Sequence, residues 1–281
     1  MKQTRIVFCS DVHLCHHKHG ASSPEEKLEN LVQKLNEFHK VKPYEKIVFL
    51  GDYSLDHWAW NEKGSWLENG ISNTERFVKE YASRLNAPYH MVPGNHEQYG
   101  QEKWKEIVGT PRECAFPVGG YLIVCCDNFS DNLDPDYHSD GTYTPTNLNF
   151  VKESMEQYPQ LPVILCGHFF DLTKEPAEFY EFIKEEKRIT VLICGHDHVV
   201  TVKDLEDRAD RVCLYHDGHY SYAGAKKSLR EIMWGFCEAV LSEDGVEMRY
   251  VEPDNKVMLK DGEYDHQYRE RYHRFFKRRD L

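Results

Sequence analysis

The sequence predicts an α/β fold, because short apolar runs alternate along the chain with segments whose apolar residues recur at helical spacing. The apolar runs contain no alternating polar residues, which is typical of strands that are covered on both faces of a sheet. Six runs are predicted as strands: Arg5–Cys9, Lys46–Leu50, Tyr89–Val92, Tyr121–Cys126, Pro162–Cys166 and Thr190–Cys194.

Four segments between these strands are predicted as helices that pack on the sheet. Ser23, Pro24 and Glu25 are typical of a helix start, because they supply an N-cap side chain, a first-turn proline and a first-turn acid. Apolar residues three or four positions apart form the buried face of an amphipathic helix. These residues are Leu28, Leu31, Val32, Leu35 and Phe38; Phe77, Val78, Tyr81 and Leu85; Leu148, Val151 and Met155; and Phe179, Phe182 and Ile183.

The last third of the chain has a different pattern. Val212–Tyr215, Gly235–Leu241 and Val246–Glu252 indicate antiparallel strands, the last two joined by a turn at residues 243–245. No repeat or linker is evident, so one domain is predicted over residues 1–265, followed by a basic, aromatic tail over residues 266–281. We expect the tail to form an amphipathic helix on the acidic body, with polyanion binding as the alternative.

Composition excludes several classes of protein. Hydrophobic residues make up 40% of the 281 residues, enough for a large core, and 35 basic against 47 acidic residues give a net charge of −12. Such a charge disfavours generic nucleic-acid binding, which depends on Lys and Arg. No apolar run is long enough for a signal-peptide core or a membrane helix. The nine cysteines show no CxxC pattern. We therefore predict a cytoplasmic protein without membrane contact.

Polar residues of metal-ligand type follow five of the six predicted strands. Because the carboxyl ends of parallel strands meet at one edge of a sheet, these residues are expected to converge there. Asp and Asn supply oxygen and His supplies nitrogen, which suits hard-to-borderline divalent metals. The residues, with their neighbours, are Asp11-Val12-His13, Gly51-Asp52, Gly94-Asn95-His96-Glu97, Gly167-His168 and Gly195-His196-Asp197-His198.

In this order, the five motifs resemble those of the calcineurin-like metallophosphoesterase superfamily over roughly the first 200 residues. The resemblance implies a four-layer α/β/β/α sandwich, in which two mixed sheets are flanked by helices. It also implies two divalent metal ions (Mn, Fe, Zn or Ni, with Mn favoured) and hydrolysis of phosphate esters by a hydroxide that bridges them.

The resemblance also assigns roles to individual residues. Asp52 would bridge the two metals, and His96 would be the catalytic histidine that contacts the phosphate and protonates the leaving oxygen. The resemblance divides the ligands into two sets: Asp11, His13, Asp52 and His198 for one metal, and Asp52, Asn95, His168 and His196 for the other.

At some positions the sequence departs from the patterns of the family, and these departures indicate which class of phosphate ester is the expected substrate. The arginines that protein phosphatases of the superfamily carry beside the second and third motifs are missing: Tyr53 follows Asp52, and Pro93 precedes Gly94. A small phosphodiester or nucleotide is therefore the expected substrate, as in the phosphodiesterase-like branch. A nuclease and a non-catalytic scaffold remain as alternatives. Asp56 lies one residue beyond the usual second acid, and its role in orienting His96 is left open.

Several further residues are candidates for contact with a substrate. They lie beside the motifs, in the second half of the chain, or in a long polar stretch of the kind that is often functional. For each, a structural role is the alternative. They are the segment Cys15–His19, His216 and His219, the aromatic residues Tyr53, Tyr99 and Phe169, and the residues from Asn128 to Asn147, here called the polar loop.

Overall fold

Two β-sheets pack face to face in the computed structural model, which describes residues 3–15, 23–55, 67–68, 71–131, 133, 140–205, 212–221, 231–232, 234–258 and 264–278. The first sheet is mixed. Its strands, in spatial order, are β12 (Glu231–Ile232), β14 (Gly245–Met258), β13 (Phe236–Leu241), β1 (Thr4–Cys9), β2 (Lys46–Leu50) and β5 (Tyr89–Val92), and β15 (Tyr264–Lys277) pairs with β14.

The second sheet is also mixed. Its strands, in spatial order, are β10 (Val200–Asp204), β11 (Cys213–Asp217), β9 (Ile189–Cys194), β8 (Val163–Gly167), β7 (Tyr121–Cys126) and β6 (Cys114–Val118). Strands β7, β8, β9 and β11 are parallel to one another, whereas the outer strands β6 and β10 are antiparallel to their neighbours. A separate short hairpin pairs β3 (Leu67–Glu68) with β4 (Ile71–Ser72).

Apolar clusters define four layers. One cluster joins the facing sides of the two sheets and includes Phe8 and Val48 from the first sheet and Ile164 and Ile193 from the second. The outer face of the first sheet packs on helix α1 (Pro24–Val41). The outer face of the second sheet packs on α4 (Leu148–Gln157) and α5 (Ala177–Glu185). The predicted α/β/β/α sandwich is therefore confirmed.

Each of the four segments predicted as helical contains a helix, and the first helix begins where its start signal indicates. Ser23 caps α1 through a capping box with Glu26, whose carboxylate accepts from the Ser23 amide at 2.7 Å. The second predicted helix is irregular: it begins as α2 (Asn73–Arg76), continues as a π-helix over Phe77–Tyr81 and ends as a 3₁₀ turn over Ala82–Arg84. Helix α3 (Gln101–Val108) was not predicted from the sequence.

The expectation of a helix in the tail is wrong. Residues 264–277 form β15, which pairs antiparallel with β14. Phe276 is buried in the core between the sheets, whereas the neighbouring Phe275 is 53% exposed, as the two-residue period of a strand requires. β15 runs across residue 265, so residues 266–277 belong to the first sheet. The division of the chain into a domain and a tail at residue 265 stays a prediction.

Of the helices in the described part of the chain, none is both long enough and apolar enough to cross a membrane. All nine cysteines are free thiols, eight of them buried.

A buried arginine ties together the loops that follow β5 and β7. The Arg112 guanidinium binds both carboxylate oxygens of Asp127, at 2.6 and 3.2 Å. It also donates to the carbonyl oxygens of Glu97, Tyr99 and Phe129 at 2.8–3.1 Å. One side chain therefore satisfies one buried carboxylate and three buried carbonyls.

We predict that Arg112→Met lowers the free energy of unfolding by about 3–5 kcal/mol, because it leaves the Asp127 carboxylate buried without a countercharge. Urea denaturation measures the change. Arg84→Met is the matched control: Arg84 binds Glu29 at the surface, where solvent screens the pair, and should lose clearly less. Similar losses in the two variants would contradict the role given to Arg112.

Candidate metal centre

The predicted ligand residues lie together at the carboxyl ends of strands from both sheets. Asp11 and His13 follow β1, Asp52 follows β2 and Asn95 follows β5, all in the first sheet. The others follow strands of the second sheet: His168 follows β8, and His196 and His198 follow β9. The site therefore lies where the ends of the two sheets meet.

The backbone at these strand ends is strained. Among the described residues, six non-glycine residues have positive φ, and five of them are predicted ligands. The left-handed region is unfavourable for residues with a Cβ, although Asp and His tolerate it better than most. Strain of this kind clusters at functional sites, because the surrounding structure must hold it. The five are Asp11, His13, Asp52, His196 and His198, with φ between 48° and 69°.

One group of potential ligand atoms comes from the ends of β1 and β9. Asp11 Oδ1 lies 3.0 Å from His198 Nε2 and 3.4 Å from His13 Nε2, and the two Nε2 atoms are 3.0 Å apart. Asp11 and His13 are buried, and His198 is half-buried. Three ligand atoms of this spacing are suited to one divalent cation.

A second group comes from the ends of β5, β8 and β9. Asn95 Oδ1 lies 2.9 Å from both His168 Nε2 and His196 Nδ1, which are 3.1 Å apart. His168 Nδ1 is 2.6 Å from the carbonyl oxygen of Leu50. Because a carbonyl only accepts, Nδ1 carries a hydrogen, and Nε2 faces the group, where it can bind a metal once it carries no proton. A backbone partner of this kind is typical of metal-binding histidines.

Asp52 lies between the two groups. Its Oδ2 atom is 3.2 Å from His168 Nε2 in the second group and 3.8 Å from His13 Nε2 in the first. Burial opposes ionisation of Asp52, yet His168 and His96 lower the pKa of this carboxyl below its usual range. Burial likewise lowers the pKa of His168, but Asp52 outweighs it and raises that pKa to about 10. The carboxylate of Asp52 thus favours positive charge on or beside the imidazole of His168, and a bound cation can supply that charge.

His96 projects toward the same centre. Its Nε2 atom is 3.6 Å from Asp52 Oδ2, and its backbone amide donates to Asp52 Oδ1 at 3.2 Å. Burial lowers the pKa of His96 to about 3, although Asp52 acts in the opposite direction. The ring is therefore neutral at neutral pH until more negative charge enters the site.

Glu97 holds the second and third motifs against each other. Its buried carboxylate accepts hydrogen bonds from the amides of Asp52 at 2.8 Å, Tyr53 at 2.9 Å, Ser54 at 3.3 Å and Gly94 at 2.8 Å. A carboxylate with four backbone donors fixes the position of the loop that carries Asp52. Glu97 belongs to the third sequence motif but had no predicted role, and its position directly after His96 was the available signal.

A hydroxyl relay supports Asp11 from the far side. Ser10 Oγ lies 2.5 Å from Asp11 Oδ2 and 2.7 Å from Asp217 Oδ1. Burial raises the pKa of Asp217 well above its usual range, which favours its protonated form. The Ser10 hydroxyl lies within donor distance of both carboxyl groups and thereby links Asp217 to Asp11. No local motif in the sequence marks Asp217 for this position.

The weaker candidates separate into three groups. Phe169 and His219 border the site: their ring centroids lie 4.4 Å from that of His196 and 5.4 Å from that of His198, respectively. His216 instead pairs with Asp197, and the Tyr53 hydroxyl donates to carbonyls inside the fold, while Tyr99 is buried. Asp56, residues 16–19, residue 132 and residues 134–139 lie outside the described residues.

The donor set fits a dinuclear centre of hard-to-borderline metals. Each group offers carboxylate or amide oxygen together with two imidazole nitrogens, and Asp52 is within reach of both. Neutral imidazole lone pairs and carboxylates that face one another at about 3 Å repel unless a proton or a cation lies between them. The arrangement is therefore suited to two divalent metal ions.

Comparisons with known proteins agree with this architecture. The structure of a dimetal phosphatase from Danio rerio is similar, with a TM-score of 0.62 and 13% identity over 88% of this chain and 95% of that one. A purple acid phosphatase from yellow lupin (Lupinus luteus) seeds has a TM-score of 0.53 and 11% identity, over 94% of this chain and 53% of that one. At these identities the likeness concerns the fold alone.

A third similar structure is the NAD nucleotidase of Haemophilus influenzae, with a TM-score of 0.51 and 14% identity over 95% of this chain and 54% of that one. A search of curated proteins finds no significant match. The family model of the calcineurin-like phosphoesterases matches residues 4–200, which contain every predicted ligand. The chain therefore belongs to the calcineurin-like phosphoesterase family.

Proposed function

We propose that this protein is a dinuclear metal-dependent phosphoesterase whose substrates are phosphodiesters or nucleotides. The observation that carries the proposal is the position of Asp52, whose Oδ2 atom reaches both groups of potential ligands. A bridging carboxylate is what two cations a few ångströms apart require, because its charge offsets their repulsion. Membership of the phosphoesterase family supports the reaction class.

Each metal would be held by residues of both sheets. When bound, the two metals supply an activated water and brace the attacking and leaving oxygens of an in-line displacement at phosphorus. The proposed ligand sets are Asp11, His13, Asp52 and His198 for one metal, and Asp52, Asn95, His168 and His196 for the other. Mn is the favoured metal, and the cytoplasmic location stays a prediction.

His96 would move the proton to the leaving oxygen. Its Nε2 atom faces Asp52 at the centre of the site, so a phosphate that enters there lies against this edge of the ring. The anionic phosphate adds negative charge beside a buried imidazole, which favours the protonated ring. His96 would therefore take up a proton as the substrate binds and release it to the departing oxygen.

The residues around the second and third motifs favour diesters. Tyr53 follows Asp52, but its hydroxyl is used inside the fold by Phe49 and Val92 and does not replace an arginine that clamps phosphate. Without such a clamp, a dianionic monoester loses the bidentate hydrogen bonds that distinguish it from a diester. The net charge of −12 also disfavours the alternative of a nuclease, which needs a basic surface for the nucleic-acid backbone.

The substrate class is tested with Mn²⁺-loaded protein on bis(4-nitrophenyl) phosphate and 4-nitrophenyl phosphate. We expect kcat/KM for the diester to exceed that for the monoester by about tenfold or more, because one charge-assisted contact is missing. A preference for the monoester would overturn the substrate class. Cleavage of oligonucleotides far faster than of either ester would favour the nuclease, and no turnover with two metals bound would favour a scaffold.

Asp52→Asn tests the bridge. We expect metal content to fall from about two equivalents of Mn²⁺ to below one, because both sites lose the same charged ligand. Elemental analysis after gel filtration measures it. His198→Ala is the comparison: it removes a ligand of one metal only and should keep about one equivalent. Retention of two tightly bound metals in Asp52→Asn would show that Asp52 is not the bridge.

His96→Ala separates proton transfer from metal binding. We expect both metals to stay and turnover to fall roughly 10²–10⁴-fold for alkyl or nucleoside leaving groups, the range of a general acid. The loss should shrink for nitrophenolate, which departs without a proton. His273→Ala, at the exposed surface, is the control. Equal losses for all leaving groups would mean that His96 only positions the phosphate, and loss of a metal would make it a ligand.

A further inference from the structure

Two residues from the second half of the polar loop, Asp140 and Gly141, contact the third motif of the proposed metal centre. The Thr144 amide donates to the carbonyl oxygen of Asn128 at 2.7 Å, which closes the base of the loop. Nearer the site, the Gly141 amide donates to the carbonyl oxygen of Asn95 at 2.8 Å. The second bond attaches the loop directly to the third motif, and it places Asp140 at the edge of the site.

Gly141 permits this close approach. A Cβ atom at this position would lie 2.9 Å from the carbonyl oxygen of Asn95, closer than Cβ atoms lie to backbone oxygens in real structures. Any other residue would push the loop away from the third motif. The spacing therefore depends on glycine, and the position of Asp140 depends on that spacing.

The Asp140 carboxylate selects one orientation of the Asn95 amide. Asp140 Oδ1 accepts a hydrogen bond from Asn95 Nδ2 at 3.2 Å. Because a carboxylate accepts and does not donate, it binds the nitrogen end of the amide. The oxygen end is then directed at His168 Nε2 and His196 Nδ1, both at 2.9 Å. Without this hydrogen bond, the Asn95 amide could rotate about its last bond. Its nitrogen, which donates and does not bind a metal, would then face the imidazoles in place of its oxygen.

The same carboxylate oxygen faces His96. Asp140 Oδ1 lies 3.7 Å from His96 Nδ1, while Nε2 on the opposite edge lies 3.6 Å from Asp52 Oδ2. A distance of 3.7 Å is longer than a hydrogen bond, but Asp140 is about half exposed and can close it by a small rotation. The ring of His96 is thus held between one carboxylate in the centre and one at the rim.

We propose that Asp140 is a positioning residue of the metal centre, which turns the Asn95 amide oxygen toward the imidazoles and the His96 Nε2 atom toward Asp52. Only its effect on turnover rests on the proposed function, since the two orientations exist whether or not the protein is an enzyme. Asp140 acts through Asn95 and His96, and it comes from a loop outside all five sequence motifs.

The orientation of His96 is tested by NMR, without activity. The experiment records long-range ¹H–¹⁵N correlations of histidine-labelled protein, metal-free and with Zn²⁺ as a diamagnetic probe, and assigns His96 from the spectrum of His96→Ala. We expect hydrogen on Nδ1 in the wild type and in Asp140→Asn, whose amide oxygen still accepts. In Asp140→Ala the hydrogen should shift toward Nε2. An unchanged His96 signal in Asp140→Ala would overturn the proposal for His96.

The orientation of Asn95 is tested by metal affinity. Asp140→Ala should weaken the binding of one of two Mn²⁺ equivalents by about 10–100-fold, the range for loss of a residue that orients a ligand. The double variant with Asn95→Ala should bind no more weakly than Asn95→Ala alone. Asp131→Ala, an exposed acid of the same loop, is the matched control and should bind like the wild type. Additive losses, or equal losses in the control, would contradict the proposal.

Turnover at saturating Mn²⁺ gives the third measurement. Asp140→Ala should lose about tenfold or more in kcat for alkyl leaving groups, with Asp140→Asn in between, and should cost nothing further in the His96→Ala background. A further loss in that background would mean that Asp140 supports the fold rather than His96. If the wild type hydrolyses no phosphate ester, the proposed function fails, whereas the NMR and metal measurements still decide the role of Asp140.

Discussion

Mutual repulsion between electron-rich atoms is the constraint on which this structure is organised. His13 and His198 direct ring nitrogens at each other across 3.0 Å, and Asp11 Oδ1 lies 3.0 Å from His198 Nε2. In the second group, Asp52 Oδ2 lies 3.2 Å from His168 Nε2. In an interior of low polarity, such groups stay together only if a proton or a cation lies among them, or if the fold holds them by force. The distribution of charge in the site and the backbone conformations at the strand ends both reflect that requirement.

Holding these groups together costs free energy, and part of this cost lies in the left-handed backbone conformations at the strand ends. Each non-glycine residue in that region costs about 1–3 kcal/mol, so five of them approach the net stability of a typical domain. The two sheets offset this cost, since their apolar faces pack on each other and on helices on both sides. Glu97 and Arg112 then transmit the rigidity of the sheets to the loops through bonds to backbone groups. The stability of the packed layers thus allows the loops that contain the predicted ligands to be strained.

The sequence predicted best what depends on local pattern. The strands Lys46–Leu50 and Tyr89–Val92 were predicted with their exact bounds, because buried parallel strands are continuous apolar runs. β6 and β10 were missed because they are partly exposed: β6 is interrupted by Pro117, and β10 mixes polar with apolar residues. β15 was mistaken for a helix, since its charged and aromatic residues satisfy either period, and only pairing with β14 decides between them.

The same division applies to the site. The seven residues predicted as ligands lie together, because each follows a strand and strand ends converge, while their role as ligands stays a prediction. Asp217 was not predicted, and Asp140 was included only as part of the polar loop, because both reach the site from segments whose path is set by tertiary contacts. Residues that contact the ligand side chains from outside the site have no fixed spacing from a strand, so no sequence pattern indicates them. Residues that directly follow a strand do have such a spacing.

The pairing of β1 has a consequence for the order in which the protein assembles. β1 carries the first motif, yet its antiparallel neighbour is β13, so that Thr4 lies opposite Leu241 and Arg5 forms a buried ion pair with Glu238. During synthesis β13 is therefore made more than 200 residues after β1, and until then one hydrogen-bonding edge of β1 stays exposed. Contacts so distant along the chain slow folding. The part that matches the family model, residues 4–200, contains every proposed ligand but not the strand that completes the sheet behind them.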